Sequence, residues 1–197
     1  MTGTRIGIFG GTFDPPHVGH LATAVNVTHD LGLDRMLMVV ANVPWQKVGT
    51  RQISPAADRL AMVEAAVAAS PLLDASSIEL ERGGETYTAD TLAELSGQDP
   101  DAELFLIVGA DAAAGLDTWK RPDEIRSQCT IVVVDRPGRG TGRPPEGWEH
   151  VHVDVPQLEI SSSDLRVRFR DGRPTDYLVP PEVLAVIAAR DIYGGAG

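Results

Sequence analysis

Arg5-Ile-Gly-Ile-Phe-Gly10-Gly-Thr-Phe-Asp-Pro-Pro-His-Val-Gly-His20 decides the fold. Arg5 to Phe9 is a short apolar run stopped at Gly10-Gly11, the pattern of a buried strand ended by glycine. A helix is expected from about Gly19 to Leu31, with Leu21, Val25 and Thr28 on one face. The same alternation continues down the chain. Arg35 to Ala41 is a second apolar strand, and Ser54-Pro55 supplies an N-cap and first-turn proline for a helix to about Ala69. That helix sets Leu60, Val63 and Val67 at helical spacing. Strands are expected at 73–80, 103–108, 130–134 and 150–155, and helices at 88–95, 162–171 and 181–190, the first of them capped by Thr88. Residues 137–149, rich in Gly, Pro and Arg, read as a flexible surface loop. Strands that are apolar throughout and separated by helices indicate one α/β domain over 1–197, a parallel sheet flanked by helices, with a helical C-terminal part at 162–197. In such sheets ligands bind beyond the carboxyl ends of the strands.

Composition narrows the function. The chain has 197 residues, enough to bury roughly 70% of its unfolded surface without a disulfide or metal staple. Its formal net charge is −11, which disfavours a general nucleic-acid binder and requires a local cationic site for any anionic substrate. Of the seventeen basic residues only Lys47 and Lys120 are lysines. No apolar stretch is long enough to span a membrane. Met-Thr-Gly-Thr-Arg leads directly into the first strand without a signal-peptide pattern, and the lone Cys129 fits a reducing compartment. A cytoplasmic protein is the expectation. The sequence is compatible with a homo-oligomer.

Several residue groups carry chemistry. Gly10, Gly11, Thr12, Phe13 and Gly19 surround His17 and His20, which lie three apart at a helix start. Glycines let the backbone approach a phosphate, and a helix N-terminus offers N–H donors with about half a positive charge. Two imidazoles on one face suit the phosphates of one nucleotide; a glycine turn with two surface histidines is the plainer alternative. A metal reading is weak, since no third ligand is near in sequence. Ser161, Ser162 and Ser163 precede a helix that a hydroxyl can cap, and Arg166, one turn in, has a planar fork suited to phosphate. Asp111 follows Gly109 at a strand end, where it also suits the N-cap of the next helix. Trp119 precedes Lys120-Arg121-Pro122; packing and partial exposure to a flat ligand are both open to it.

The stretch GGTFDPPHVGH resembles the signature of the nucleotidyltransferases with an HxGH motif, and its wording resembles their nicotinate mononucleotide adenylyltransferase branch. The resemblance runs along nearly the whole chain. Thr86-Tyr87-Thr88 with Asp90-Thr91-Leu92 is similar to a YTxDTL segment. Gly109-Ala110-Asp111 with Leu116 and Trp119 is similar to GADxxxxLxxW, and Ile160 to Arg166 to ISSTxIR. The tail Tyr177-Leu178-Val179-Pro180, ending at Ile192-Tyr193, also matches. Two departures stand out: Ser163 replaces the usual Thr, and Trp45-Gln46 replaces Pro-His before Lys47.

The resemblance implies a Rossmann-like nucleotidyltransferase fold and adenylyl transfer from ATP to nicotinic acid mononucleotide, releasing pyrophosphate, in NAD biosynthesis. It implies catalytic roles for His17, His20 and Arg166. ATP would lie against Gly10, Gly11, Thr12, Phe13, Gly19, Gly109, Asp111, Ser162 and Ser163, and the mononucleotide against Lys47, Thr86, Tyr87 and Trp119. Mg2+ would be held by phosphate oxygens and water rather than by a carboxylate cage. A related adenylyltransferase acting on phosphopantetheine typically has Thr at the position of His17 and lacks the two middle segments. A nucleotide-binding sensor without catalysis is the rival from another class, disfavoured by the intact His17, His20 and Arg166.

Overall fold

The computed structural model describes residues 3–43, 53–135, 142–156 and 158–194. Strands and helices alternate as β1 (Arg5–Gly11), α1 (Val18–Asp30), β2 (Arg35–Val40), α2 (Ala56–Val67), β3 (Leu73–Ser76), α3 (Ile78–Arg82), α4 (Thr88–Gln98) and β4 (Glu103–Gly109). There follow α5 (Ala110–Ala113), a 3-10 turn (Leu116–Thr118), α6 (Pro122–Gln128), β5 (Thr130–Asp135), β6 (His150–Asp154), α7 (Ser162–Arg170) and α8 (Pro181–Ala189). The strands form one sheet in the order β3-β2-β1-β4-β5-β6. β1 runs parallel to β4 with Ile6 opposite Leu104, β4 parallel to β5, and β5 parallel to β6. The expected α/β fold is present. Met36 to Val40 are all buried, as are Leu104 to Val108, which is why these strands read as unbroken apolar runs. Among the described residues no helix is long and apolar enough to cross a membrane.

The details correct several expectations. β1 continues through Gly10 and Gly11 instead of stopping before them. The inner face of α1 is Ala24, Val27 and Thr28, whereas Val25 is 47% exposed; the Thr28 hydroxyl is satisfied by the Ala24 carbonyl at 2.7 Å. In α2 the buried stripe is Arg59, Met62, Val63 and Val67, so an arginine stands at the core-facing position given to Leu60. Ser54 makes no side-chain cap, because Pro55 is the N-cap residue, and Thr88 lies inside α4 behind Tyr87. The strand expected over 73–80 ends at Ser76, and Ile78 to Arg82 form a helical turn closed by Gly83 at φ +70°. Glu79, Leu80, Glu81 and Arg82 are good helix formers, which overrides the short apolar pattern. Asp111 is inside α5, whose N-cap is Gly109. α6 was not expected; Pro122 at its first turn and the left-handed Arg121 before it (φ 56°) set its start.

The residues group into two compact units. One comprises Met1–Phe9, Thr23–Leu37 and Tyr87–Gln157; the other comprises Gly10–Ala22, Met38–Thr86 and Leu158–Gly197. The second has a core of Met62, Leu165, Val179, Val183, Ile187 and Ile192, joining α2, α7 and α8. In the first, residues 142–149 are irregular but anchored: Trp148 is 4% exposed, and its indole Nε1 donates to Asp117 at 2.8 Å. The loop expected over 137–149 is therefore packed over that part; residues 136–141 lie outside the described residues.

Candidate active site

In the unit that begins at Gly10, the histidine turn is built by close contacts that only its own residues permit. His17 is 5% exposed, so it is not a surface histidine, and His20 is half-buried. Their rings stack with centroids 3.7 Å apart and planes 27° from parallel. The backbone N–H of His17 donates to Nδ1 of His20 at 3.2 Å. Nδ1 thus accepts, which leaves the proton of a neutral His20 ring on Nε2 and makes Nε2 a donor. Phe13, held at φ +49° and buried, meets the His20 ring edge-on at 5.1 Å. Gly19 explains its own place: a Cβ there would lie 3.1 Å from Nδ1 of His17. A Cβ on Gly11 would lie 2.7 Å from the Phe13 ring, whereas one on Gly10 would meet nothing within 4 Å. Gly10 therefore opens space on the exposed end of β1.

The helix start is less open to anions than its position in sequence implies. The Val18 N–H donates to the Leu178 carbonyl at 3.1 Å, and the His20 N–H to the His17 carbonyl at 2.9 Å. Side chains supply what the amides do not. Ser161 caps α7, its hydroxyl accepting from the Asp164 N–H at 3.1 Å. Ser162 Oγ donates to the Pro15 carbonyl at 2.9 Å. Arg166 donates from Nη1 to the Asp14 carbonyl at 2.6 Å and from Nη2 to Ser163 Oγ at 3.0 Å; its Nη1 also stands 3.9 Å from the Asp14 carboxylate. The hydroxyl of Ser163 performs the orienting task, so its replacement of Thr leaves that contact in place. His17, His20, Ser162, Ser163 and Arg166 are thus brought together on the Gly10–His20 segment, across about 150 residues of chain.

Arg59 was missed by sequence reading and is 1% exposed. Its guanidinium donates to four backbone carbonyls: Ser54 at 2.9 Å, Thr12 at 2.9 Å, Ala41 at 2.7 Å and Asn42 at 3.0 Å. It ties the turn after β1 to the end of β2. Thr86 serves the same strand end, its hydroxyl accepting from the Asn42 N–H at 3.1 Å. Asp14 and Tyr193 were missed as well; the Tyr193 hydroxyl donates to Asp14 Oδ1 at 2.8 Å. Lys47 and Trp45 lie outside the described residues.

The other unit holds the remaining predicted residues. Gly109 and Asp111 are exposed at the carboxyl end of β4, and a Cβ on Gly109 would meet nothing within 4 Å. Trp119 is half-buried and follows the 3-10 turn. The next two residues bring its segment to the first turn of α4: Lys120 Nζ lies 5.3 Å over the Tyr87 ring, and Arg121 pairs with Asp90. Tyr87 and the Trp119 segment therefore share one end of α4. Arg121, also 3.4 Å from Glu124, has its charge met by carboxylates, while Lys120 keeps its head beside Tyr87.

Among the described residues no group of three or more His, Cys, Asp or Glu side chains stands together to hold a metal ion. The carboxylate beside the histidine turn, Asp14, is 1% exposed and faces Tyr193 and Arg166, a donor set suited to orienting a cation-bearing side chain.

Comparison with known proteins identifies the family and the fold. Residues 8–168 match the cytidylyltransferase-like family. A probable nicotinate-nucleotide adenylyltransferase of Corynebacterium kroppenstedtii is 45% identical over 98% of this chain and 92% of its own. One from Geobacillus thermodenitrificans is 42% identical over 96% and 86%. Among solved structures, the Plasmodium falciparum nicotinic acid mononucleotide adenylyltransferase complexed with NaAD shares the fold with a TM-score of 0.79, covering 98% of both chains at 16% identity.

Proposed function

The chain belongs to the nicotinate-nucleotide adenylyltransferases of the cytidylyltransferase-like family, and on that premise we propose how its residues carry adenylyl transfer from ATP to nicotinic acid mononucleotide. A phosphate oxygen of the mononucleotide forms a bond to the α-phosphorus of ATP, the bond from that phosphorus to the bridging oxygen breaks, and pyrophosphate leaves. The nucleophile needs no general base, because a phosphate monoester with a second pKa near 6 is already ionised at pH 7. What the protein must do is align two anions and spread the charge on the leaving group.

His20, with Nε2 as donor, and its stacked neighbour His17 are assigned to the ATP phosphates. Arg166 is assigned to the leaving pyrophosphate, its guanidinium aimed by Asp14 and Ser163. The open side of Gly10 leaves room for the nucleotide backbone. Tyr87 and Trp119 are assigned to the mononucleotide, the tryptophan as a flat partner for the pyridine ring. Gly109 and Asp111 are assigned to ATP. Mg2+ entering with ATP would be held by the ATP phosphates and water rather than by protein carboxylates, and would supply charge neutralisation there.

The observation that carries this reading is the tie between distant segments: Ser162 on Pro15 and Arg166 on Asp14 fasten the serine-arginine segment to the turn that presents His17 and His20. The test is a panel of mononucleotides with ATP and Mg2+, following pyrophosphate release and identifying the product by mass. Release with nicotinic acid mononucleotide and formation of the adenine dinucleotide is the expected result. No release with any mononucleotide would favour a nucleotide sensor instead.

A further inference from the structure

Tyr193 lies 27 residues beyond Arg166 in sequence, yet its hydroxyl reaches into the histidine turn. It donates to Oδ1 of Asp14 at 2.8 Å, and Asp14 is 1% exposed. The other carboxylate oxygen of Asp14, Oδ2, faces Arg166 Nη1 at 3.9 Å, and the same Nη1 donates to the Asp14 carbonyl at 2.6 Å. Asp14 therefore meets the arginine from both main chain and side chain, with the tyrosine on its far oxygen. The tyrosine is itself held at cost. Its φ is +77°, a left-handed conformation that a bulky residue rarely keeps without reason. Its ring stacks on Phe169 of α7, centroids 5.2 Å apart and planes 20° from parallel. Phe169 is three residues after Arg166, so the stack and the hydroxyl both bear on the helix that carries the arginine.

We propose that Tyr193 is a positioning residue for Arg166, acting through Asp14. The proposal rests on the reading of Arg166 as a ligand of the leaving pyrophosphate. Asp14 shares its negative charge with both Tyr193 and Arg166. While the tyrosine hydroxyl takes part of it through Oδ1, the contact from Oδ2 to the guanidinium stays long. Without the hydroxyl, more of the buried carboxylate's charge falls to Arg166, which is drawn into a tighter pair with Asp14. Its charge is then met by the protein before it meets phosphate. Burial, reinforced by the Asp14 charge, pushes the Tyr193 hydroxyl well above its ordinary value near 10, so it remains a donor throughout the working range.

The experiment is a double-mutant cycle with Tyr193→Phe and Arg166→Lys, measured on the full chain by steady-state kinetics and thermal melting. Phenylalanine keeps the ring on Phe169 and removes only the hydroxyl. The expected result for Tyr193→Phe is a roughly tenfold fall in kcat, with the KM for the mononucleotide unchanged, because an interaction made in the transition state is weakened. In the Arg166→Lys background the same change is expected to cost less than twofold, since the group it positions is already gone. A Tyr193→Phe enzyme with the wild-type kcat would overturn the proposal. So would an equal fall in both backgrounds, which marks a general effect on folding that the melting curves would register as well. Full activity in Arg166→Lys alone would instead remove the role given to the arginine, and the role of the tyrosine with it; that outcome is read from the arginine variant by itself.

Discussion

A histidine proposed as a donor to phosphate and an arginine that holds carbonyls are expected to fail differently when replaced. His20 is half-buried, stacked on His17 and hydrogen-bonded through Nδ1, so its packing contributes modestly. His20→Ala is expected to cost about 1 kcal/mol of stability, a shift of about 2–4 °C in Tm for a chain of this size. The loss in kcat is expected to be roughly 10²–10³, the usual effect of removing a donor to a developing anion. Measuring both on one preparation separates the roles; an alanine variant with wild-type turnover would remove His20 from the reaction. Arg59 presents the opposite case. Four backbone carbonyls share its guanidinium, and replacement by methionine leaves them without that donor in a largely dry setting. At about 1 kcal/mol for each lost bond, Arg59→Met is expected to cost about 3–4 kcal/mol, a large share of an ordinary domain's stability of about 5–15 kcal/mol. Arg59→Lys, which keeps the charge and part of the bonding, should recover some of that. Urea midpoints at unchanged slope test it, and an Arg59→Met midpoint equal to wild type would mean that other donors replace the guanidinium.

At the scale of the element, α4 and the segment after the 3-10 turn are expected to set the choice between an acid and an amide on the pyridine ring. Residues 86–88 lead into α4, an eleven-residue helix whose N-cap, Tyr87, provides no side-chain cap. Its first N–H groups and the positive end of its dipole suit a carboxylate, and Lys120 places a cation over the Tyr87 ring. A carboxylate accepts at both oxygens, whereas a carboxamide turns an NH2 toward the same donors. A mismatch of that kind in a desolvated site costs about 1–3 kcal/mol, so the acid mononucleotide is expected to be preferred roughly tenfold to a hundredfold in kcat/KM. Equal kcat/KM for the two mononucleotides at fixed ATP would refute the carboxylate pocket and leave adenylyl transfer intact. Much of this element-scale picture was legible in the sequence, because unbroken apolar strands such as Met36–Val40 and a hydroxyl cap such as Ser161 are local features. Roles that depend on distant partners were not. Ser54 reads as a cap but gives its carbonyl to Arg59, and Asp14 reads as part of a turn although its charge is shared with residues 152 and 179 positions away. Arg59 did leave a signal, since it occupies the stripe completed by Met62, Val63 and Val67, a spacing of three to four residues in which a charged side chain must find buried partners.

The whole molecule, at a formal net charge of −11, becomes still more negative as pH rises, and self-repulsion then weakens the folded state in any variant alike. Superimposed on that common trend is one thiol. Cys129 closes α6 just before β5, its Sγ donating to the Ile125 carbonyl at 3.4 Å. Burial pushes this thiol up from its ordinary value near 9 to about 12. The folded state therefore holds the proton over a range in which the unfolded chain has already released it. Stability from this group is complete below about pH 9 and is lost as pH climbs toward 12, at a slope of about 1.4 kcal/mol per pH unit. Cys129→Ala has no proton to hold and escapes that loss while sharing the general repulsion. Urea midpoints of the two proteins between pH 8 and 11 are expected to show the wild type losing ground to the variant once the pH passes about 9. Parallel curves across that range would mean that the thiolate is as well accommodated in the folded protein as in the open chain.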